Sequence, residues 1–190
     1  MKRPDLVRRS LLQGLALLLL LLWGLGTTPV HAQGIELASL EPQRQDGELT
    51  LDFDVRLALP KTVEDAMQRG VPVYFVAEAS LYRVRWYWRD ERVARVQRSW
   101  RVAYQPLTST WRVGFGGFNQ SFQTLGEALA VVTRSSRWRV ADLSQLDADS
   151  RHYLEFSYRL DNSQLPSPMQ LGLGSQAEWV LGVERTLRLD

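Results

Sequence analysis

The sequence predicts a mainly β fold: an antiparallel, two-layer β-sandwich-like domain with two short helices. Three observations carry this. Two-residue hydrophobic alternation recurs from Gly34 to Leu189, polar turn residues separate the alternating segments, and helical periodicity is confined to two short stretches. No regular strand–helix alternation argues for a parallel sheet, so two antiparallel layers are the economical way to cover several one-sided strands.

Gly34 to Glu41 and Glu48 to Leu59 read as the first two strands, joined by a polar turn over Pro42–Gly47. In the second, Leu49, Leu51, Phe53, Val55, Leu57 and Leu59 share one face, and Thr50, Asp52, Asp54 and Arg56 the other. Pro60 ends it. A short helix is expected from Thr62 to Arg69, with Thr62 as cap, Glu64 and Asp65 in the first turn and Gly70 as the stop. Val63, Ala66 and Met67 share its inner face.

Val71 to Arg89 and Arg92 to Tyr104 predict a long hairpin about Asp90-Glu91. Even positions Tyr82, Val84, Trp86, Trp88, Ala94, Val96, Trp100, Val102 and Tyr104 are apolar, with Arg98 the exception. Odd positions Arg83, Arg85, Arg89, Arg95, Gln97, Ser99 and Arg101 are mostly polar. Even is therefore expected to oppose even, which requires an odd-numbered loop or a bulge at the tip. Near Glu78–Ser80 the pattern changes, since Val71, Val73 and Phe75 are apolar at odd positions, and a bulge or bend is expected there.

Thr110 to Phe115 is a strand running into a glycine bend at Gly114-Phe115-Gly116-Gly117. A helix follows, with Thr124 and Glu127 as a capping box and Leu125, Ala128, Leu129 and Val132 on one face. Arg137 to Ala141, Arg151 to Leu160, Met169 to Leu173 and Ala177 to Leu189 complete about nine strands. Polar turns at Asp147–Ser150 and Asp161–Pro168 separate them.

Residues 1–32 read as a signal peptide ahead of a single domain, 33–190. Lys2, Arg3, Arg8 and Arg9 form a basic head and Leu11 to Leu22 an apolar run. Val30-His31-Ala32 offers a cleavage site between Ala32 and Gln33. Leu11 to Leu25 falls short of the roughly 20 residues a spanning helix prefers. The expected location is periplasmic, with no stable membrane span after cleavage; the alternative is an uncleaved N-terminal anchor in the inner membrane, facing the periplasm.

The whole chain has 23 basic and 21 acidic residues; without 1–32 it has 19 and 20, a net charge of −1. The basic pI belongs to the leader, so nucleic acid is not an expected partner. Without cysteine, the fold must be held by its core rather than by disulfides.

Few residues offer chemistry. His152 is the only histidine beyond the leader, and Ser–His catalysis needs partners that spacing does not supply. Asp142, Asp147 and Asp149 lack the ligand spacing of a calcium loop and read as a turn. Gly114, Gly116 and Gly117 do not match a phosphate-binding fingerprint. No cofactor, metal site or catalytic residue is expected. The least bland feature is an arginine face, Arg83, Arg85, Arg89, Arg95 and Arg101, a candidate surface for acidic lipid, polyanionic polymer or an acidic protein patch. The simpler reading is a solvated strand face whose charge Asp52, Asp54 and Glu78 cancel. Trp86, Trp88 and Trp100 share the expected inner parity and are assigned to the core.

Four segments together resemble the proteobacterial family of domain of unknown function 4390. They are Val63 to Val73, Ser121 to Leu129, Tyr158 to Asp161, and Leu165-Pro166-Ser167-Pro168-Met169-Gln170-Leu171 with Glu178-Trp179 downstream. The resemblance implies an exported bacterial protein without assigned activity, encoded near a membrane sensor kinase of the nitrogen-response type. The expected function is a non-enzymatic binding or interaction domain of the envelope, accessory to such a kinase. The alternative is a periplasmic carrier of a small ligand or lipid in an apolar pocket between the layers.

Overall fold

Nine strands in two antiparallel sheets make up most of the structure, a computed structural model that describes residues 34–87, 89–147, 149–165 and 177–189. The leader, Trp88 and the expected strand Met169–Leu173 lie outside the described residues. The strands are β1 (Gly34–Gln45), β2 (Glu48–Ala58), β3 (Val73–Arg83), β4 (Glu91–Gln105), β5 (Thr110–Phe115), β6 (Phe118–Phe122), β7 (Arg134–Asp142), β8 (His152–Leu160) and β9 (Gly182–Leu189). The helices are α1 (Lys61–Gln68) and α2 (Leu125–Val132). One sheet has the order β1-β2-β7 and the other β6-β5-β4-β3-β8-β9. The sheets approach each other where β7 meets β3 and β4 and where β1 meets β9.

The alternation read in β2 sets the inner face of the smaller sheet: Leu49, Leu51, Phe53 and Val55 are buried. The β1–β2 turn is tighter than expected. Gln45 pairs with Glu48 around Asp46-Gly47, both at positive φ (54° and 79°), so strand pairing covers most of the expected Pro42–Gly47 turn. A register shift between Leu37 and Ser39 moves the apolar parity of β1 from Ile35 and Leu37 to Leu40.

Helix α1 buries Val63, Ala66 and Met67 as expected, but its N-cap is Pro60 and not Thr62. The Thr62 hydroxyl instead donates to Glu178 Oε2 at 2.7 Å, tying the helix to a 3₁₀ turn at Ala177–Trp179. That turn occupies the start of what the sequence suggested was one strand to Leu189. Helix α2 carries its full capping box: Thr124 Oγ1 accepts from Glu127 N–H, and the Glu127 carboxylate accepts from Thr124 N–H.

The β3–β4 register corrects the expected even-to-even pairing. Val73, Phe75, Ala77, Ala79 and Leu81 are the β3 residues of the hydrophobic core, and they stand opposite the even residues of β4, with Phe75 opposite Trp100 and Leu81 opposite Ala94. The apolar parity seen at Val71–Phe75 continues to Leu81 without a bend at Glu78–Ser80. The register shift comes next, between Leu81 and Tyr82, and only Tyr82–Arg92 pairs even to even. The connecting loop, 84–90, does have an odd residue count. It leaves Trp86 91% exposed, overturning its assignment to the core.

Strand β6 was not anticipated. Gly116 and Gly117, at φ 54° and 87°, turn β5 back into it as a hairpin.

The two sheets interlock through rings. Phe53 on β2 meets Phe156 at 5.1 Å, Tyr158 at 6.0 Å, Trp138 at 6.1 Å and Trp100 at 6.4 Å between centroids. The Tyr158 hydroxyl, buried with its ring, donates to the Val132 carbonyl at 3.1 Å, so the polar tip is satisfied inside the core. Arg98, the one charged residue at the even positions of β4 from Ala94 to Tyr104, lies at the seam. Its guanidinium stands over Phe115 (5.7 Å) and Trp138 (5.3 Å) and hydrogen-bonds Ser135 of β7, while burial lowers its pKa.

Phe53→Ala removes a ring that four others contact and is expected to cost about 3–5 kcal/mol, a large part of the roughly 5–15 kcal/mol that holds a domain together. Phe53→Leu, which keeps most of the volume, is expected to cost clearly less. Equilibrium denaturant unfolding of the two variants checks both the magnitude and the order.

Candidate functional site

The end of the sandwich at which β3 passes into β4 brings together two exposed aromatic side chains, Trp86 and Tyr87, several arginines and two clefts. Loop 84–90 is pinned at its foot by two carboxylates. Asp90 Oδ1 accepts from the Arg85 backbone N–H at 3.1 Å, and Asp90 Oδ2 accepts from the Tyr153 hydroxyl at 3.0 Å. The Glu91 carboxylate takes the guanidinium of Arg85 and, at 3.4 Å, that of Arg83, which also reaches Asp147 at 3.1 Å. Val84 N–H donates to the Arg151 carbonyl at 2.9 Å, which fixes the loop's first residue against the start of β8. Trp86 and Tyr87 then project into solvent, their rings 5.0 Å apart edge to face.

The five arginines of the expected face are not one ladder. Arg83 and Arg85 are neutralised at the loop foot. Arg95 lies on the outer face of the larger sheet, 2.8 Å from Glu78, and the hydrogen bond it donates to that carboxylate raises its pKa further. Arg101 stands on the same outer face, opposite Gly114. Arg89 and Arg92 beside the tip are exposed, and neither has an ion pair or hydrogen bond among the described residues. Asp52 and Asp54, expected as neighbours that cancel the charge, belong to the other sheet, where Asp54 pairs with Arg134 at 3.5 Å and Asp52 accepts from the Arg137 N–H.

Beside the loop foot, Tyr82 and Tyr153 stack at 5.1 Å on neighbouring strands. Burial, then Asp90, push the Tyr153 phenol up to about 12, so it remains a neutral donor across the physiological range. His152 is 5% exposed, with its Nε2 buried and unpartnered among the described residues. It lines two neighbouring clefts. One, of about 420 Å³, is bounded by Arg44, Leu143, Asp147, Ser150 and His152 among others; the second, of about 490 Å³, by Val84, Arg151, His152, Tyr153, Thr186 and Arg188.

Asp147, Ser150 and His152 therefore share a cleft. No hydrogen bond joins their side chains among the described residues, since Asp147 is spent on Arg83, and a nucleophile–base contact is the minimum that acyl chemistry needs. Among the described residues no three His, Cys, Asp or Glu side chains are grouped to hold a metal. Asp142 instead accepts from Arg139 at 2.6 Å.

With this geometry in place, a family model described as a domain of unknown function, DUF4390, matches residues 32–188. The chain belongs to this family. Comparisons with curated proteins and with solved structures give no match. Within DUF4390, the segments that carried the resemblance are structural where they are described. Val63, Ala66, Met67, Tyr158, Leu160, Leu165 and Trp179 are all buried, and the Trp179 carbonyl accepts from Asn162 Nδ2 at 2.7 Å. The rest of the Leu165–Leu171 segment lies outside the described residues.

Sequence reasoning missed the exposed aromatic tip and the cleft. A signal for the tip was present: Trp86-Tyr87-Trp88 places three aromatics in a row, which no alternating strand face absorbs. The cleft residues Arg151, Tyr153, Thr186 and Arg188 are brought together by the β8–β9 ladder, and nothing local marks them.

Asp90→Asn removes the charge beside the Tyr153 hydroxyl and is expected to bring its titration down from about 12 toward the ordinary value of 10. Tyrosinate absorbance, read as the difference from Tyr153→Phe, checks this. Because the folded pKa lies above the unfolded one, the stability linked to Tyr153 is complete below pH 10 and is lost as pH rises through about 12.

Proposed function

We propose that this DUF4390 domain is an exported, non-enzymatic interaction module of the bacterial envelope that captures an extended, acid-bearing segment of a partner protein along the outer half of β4. One observation carries the reading: Glu91–Ser99 of β4 pair with β3 alone, because β5 reaches only as far as Trp100, among the described residues. Backbone donors and acceptors along that edge are free to add a strand. The edge runs directly into the loop that presents Trp86 and Tyr87, the residue types that anchor protein contacts most strongly.

Charge supplies the partner's chemistry. Arg89 and Arg92 follow the aromatic pair in the chain, their side chains without counter-ions among the described residues, and Arg92 and Arg95 stand on the edge itself. The arginines and the register shift beside Tyr82 discourage pairing with a second copy of the same strand. An acidic segment meets no such barrier. The surface also lies at the end of the body remote from Gly34, roughly 40 Å along a twelve-residue strand.

Periplasmic location rests on the leader, and a membrane sensor kinase is the partner class the family resemblance implies. Among the described residues no helix is long and apolar enough to cross a membrane. The carrier alternative has less support, since the space between the sheets at Phe53 is filled by Trp100, Trp138, Phe156 and Tyr158.

A photo-crosslinking residue placed at Gln97 or Trp86 in cells is expected to trap the same envelope protein. The same residue at Leu107, fully exposed on the β4–β5 turn at the opposite end, is expected to trap none. Identical adducts at all three positions, or none from an exported and folded chain, would overturn the proposal.

A further inference from the structure

On the outer face of the larger sheet, the cleft at the foot of loop 84–90 holds two exposed arginines that make no ion pair among the described residues. Tyr153 lies opposite Arg188 in the β8–β9 ladder. Arg151, two residues before Tyr153, is therefore a diagonal neighbour of Arg188, a separation of roughly 7–8 Å. Both line the same space of about 490 Å³ with Val84, His152, Tyr153 and Thr186. Neither guanidinium has an ion pair or hydrogen bond among the described residues. Arg83, Arg85, Arg95, Arg134 and Arg139, in contrast, each have a carboxylate at 3.5 Å or less.

Nearby carboxylates do not fill this role. Asp90, which receives the Tyr153 hydroxyl, has its other oxygen on the Arg85 N–H. Glu155 faces Thr186 across the ladder and is the other diagonal neighbour of Arg188, but it makes no ion pair with it among the described residues and lines the adjoining cleft with Glu78 and Glu184.

From this we infer that the cleft binds a phosphate-type oxyanion, with Arg151 and Arg188 as its charged contacts and the Thr186 hydroxyl as a neutral donor. Two like charges held in one cleft repel, and a doubly charged group that can take a guanidinium on each side relieves this better than a single carboxylate. Val84 and the Tyr153 ring give the cleft an apolar wall, suited to a phosphate attached to a larger body. The phosphate can come free or as a simple ester in solution, or as a phospholipid headgroup. The inference is independent of the strand-edge proposal, because it uses neither the β4 edge nor Trp86.

The test titrates inorganic phosphate into the protein recovered from the envelope and follows backbone amide resonances. The expected result is a saturable shift confined to Arg151, Tyr153, Thr186 and Arg188, with a Kd on the order of millimolar. Arg151→Gln and Arg188→Gln are each expected to weaken it about tenfold, and Arg101→Gln, on the same face outside the cleft, to leave it unchanged. A parallel arm measures co-sedimentation with phosphatidylglycerol and phosphatidylcholine vesicles. Capture by phosphatidylglycerol that both cleft variants abolish assigns the site to a lipid headgroup; saturable phosphate binding without vesicle capture assigns it to soluble phosphate. Absence of a saturable shift, a shift mapping elsewhere in the wild type, or equal affinity in both cleft variants overturns the inference. The wild-type mapping decides the matter even where a variant fails to fold.

Discussion

Phe53 is the constraint on which the rest of this fold depends. It stands on the central strand of the smaller sheet, yet three of its four ring contacts, Trp100, Phe156 and Tyr158, come from the larger one. Edge-to-face and tilted ring pairs add about 0.5–1.5 kcal/mol each beyond the area they bury. In a chain with no cysteine, that interlock does the work a disulfide between sheets does elsewhere. It also dictates where the sandwich can be open. The ring cluster sits where β2 crosses β4, β3 and β8, so the space there is full, and clefts can form only on outer faces and at the ends.

At the β3–β4 end a different logic holds. Burying a large apolar side chain is worth about 1.5–3 kcal/mol, and the fold forgoes that gain for Trp86. It does so by specific means. Asp90 and Glu91 together bind the Arg85 backbone, the Arg83 and Arg85 guanidinium groups and the Tyr153 hydroxyl, holding the loop in a shape that leaves Trp86 and Tyr87 exposed. Each exposed ion pair contributes only about 0–1 kcal/mol by itself. Acting on one short loop they restrict its shape more than they add to stability. Single exposed apolar residues are ordinary on any surface, but an adjoining pair with its base tied down differs in kind.

Legibility in the sequence followed the range of the interaction. The inner face of β2, the burial of Val63, Ala66 and Met67, and the Thr124–Glu127 box depend on residues within one strand or one helical turn, and all could be read directly. Asp46-Gly47 was equally local, and reading the wider Pro42–Gly47 stretch as the turn obscured a tight hairpin signal. The β3–β4 register was a different kind of question. Parity within β4 was correct, but which residues it opposed depended on the parity of β3, which runs odd to Leu81 and changes only at the register shift. Thr62 shows the same limit. By type it suits a cap, yet its hydroxyl is drawn off by Glu178, 116 residues away. The cleft arginines were illegible for the same reason, since Arg151 and Arg188 become neighbours only through the β8–β9 ladder.

The open edge, the aromatic tip and the arginine cleft share one origin, which is the unequal length of the strands. β4 has fifteen residues and β5 only six, and the Gly116-Gly117 turn sends the chain back before β5 can cover the outer half of β4. β3 must follow β4 outward, β8 pairs with β3 as far as Arg83 and β9 pairs with β8, which brings Arg151 and Arg188 to the foot of the protruding loop. Extending β5 by a few residues would seal the β4 edge and satisfy its backbone at little cost in entropy. The early turn therefore separates a closed half, built on ring packing around Phe53, from an overhanging half whose backbone edge, rings and charges remain available. That division places the proposed binding surfaces away from the core.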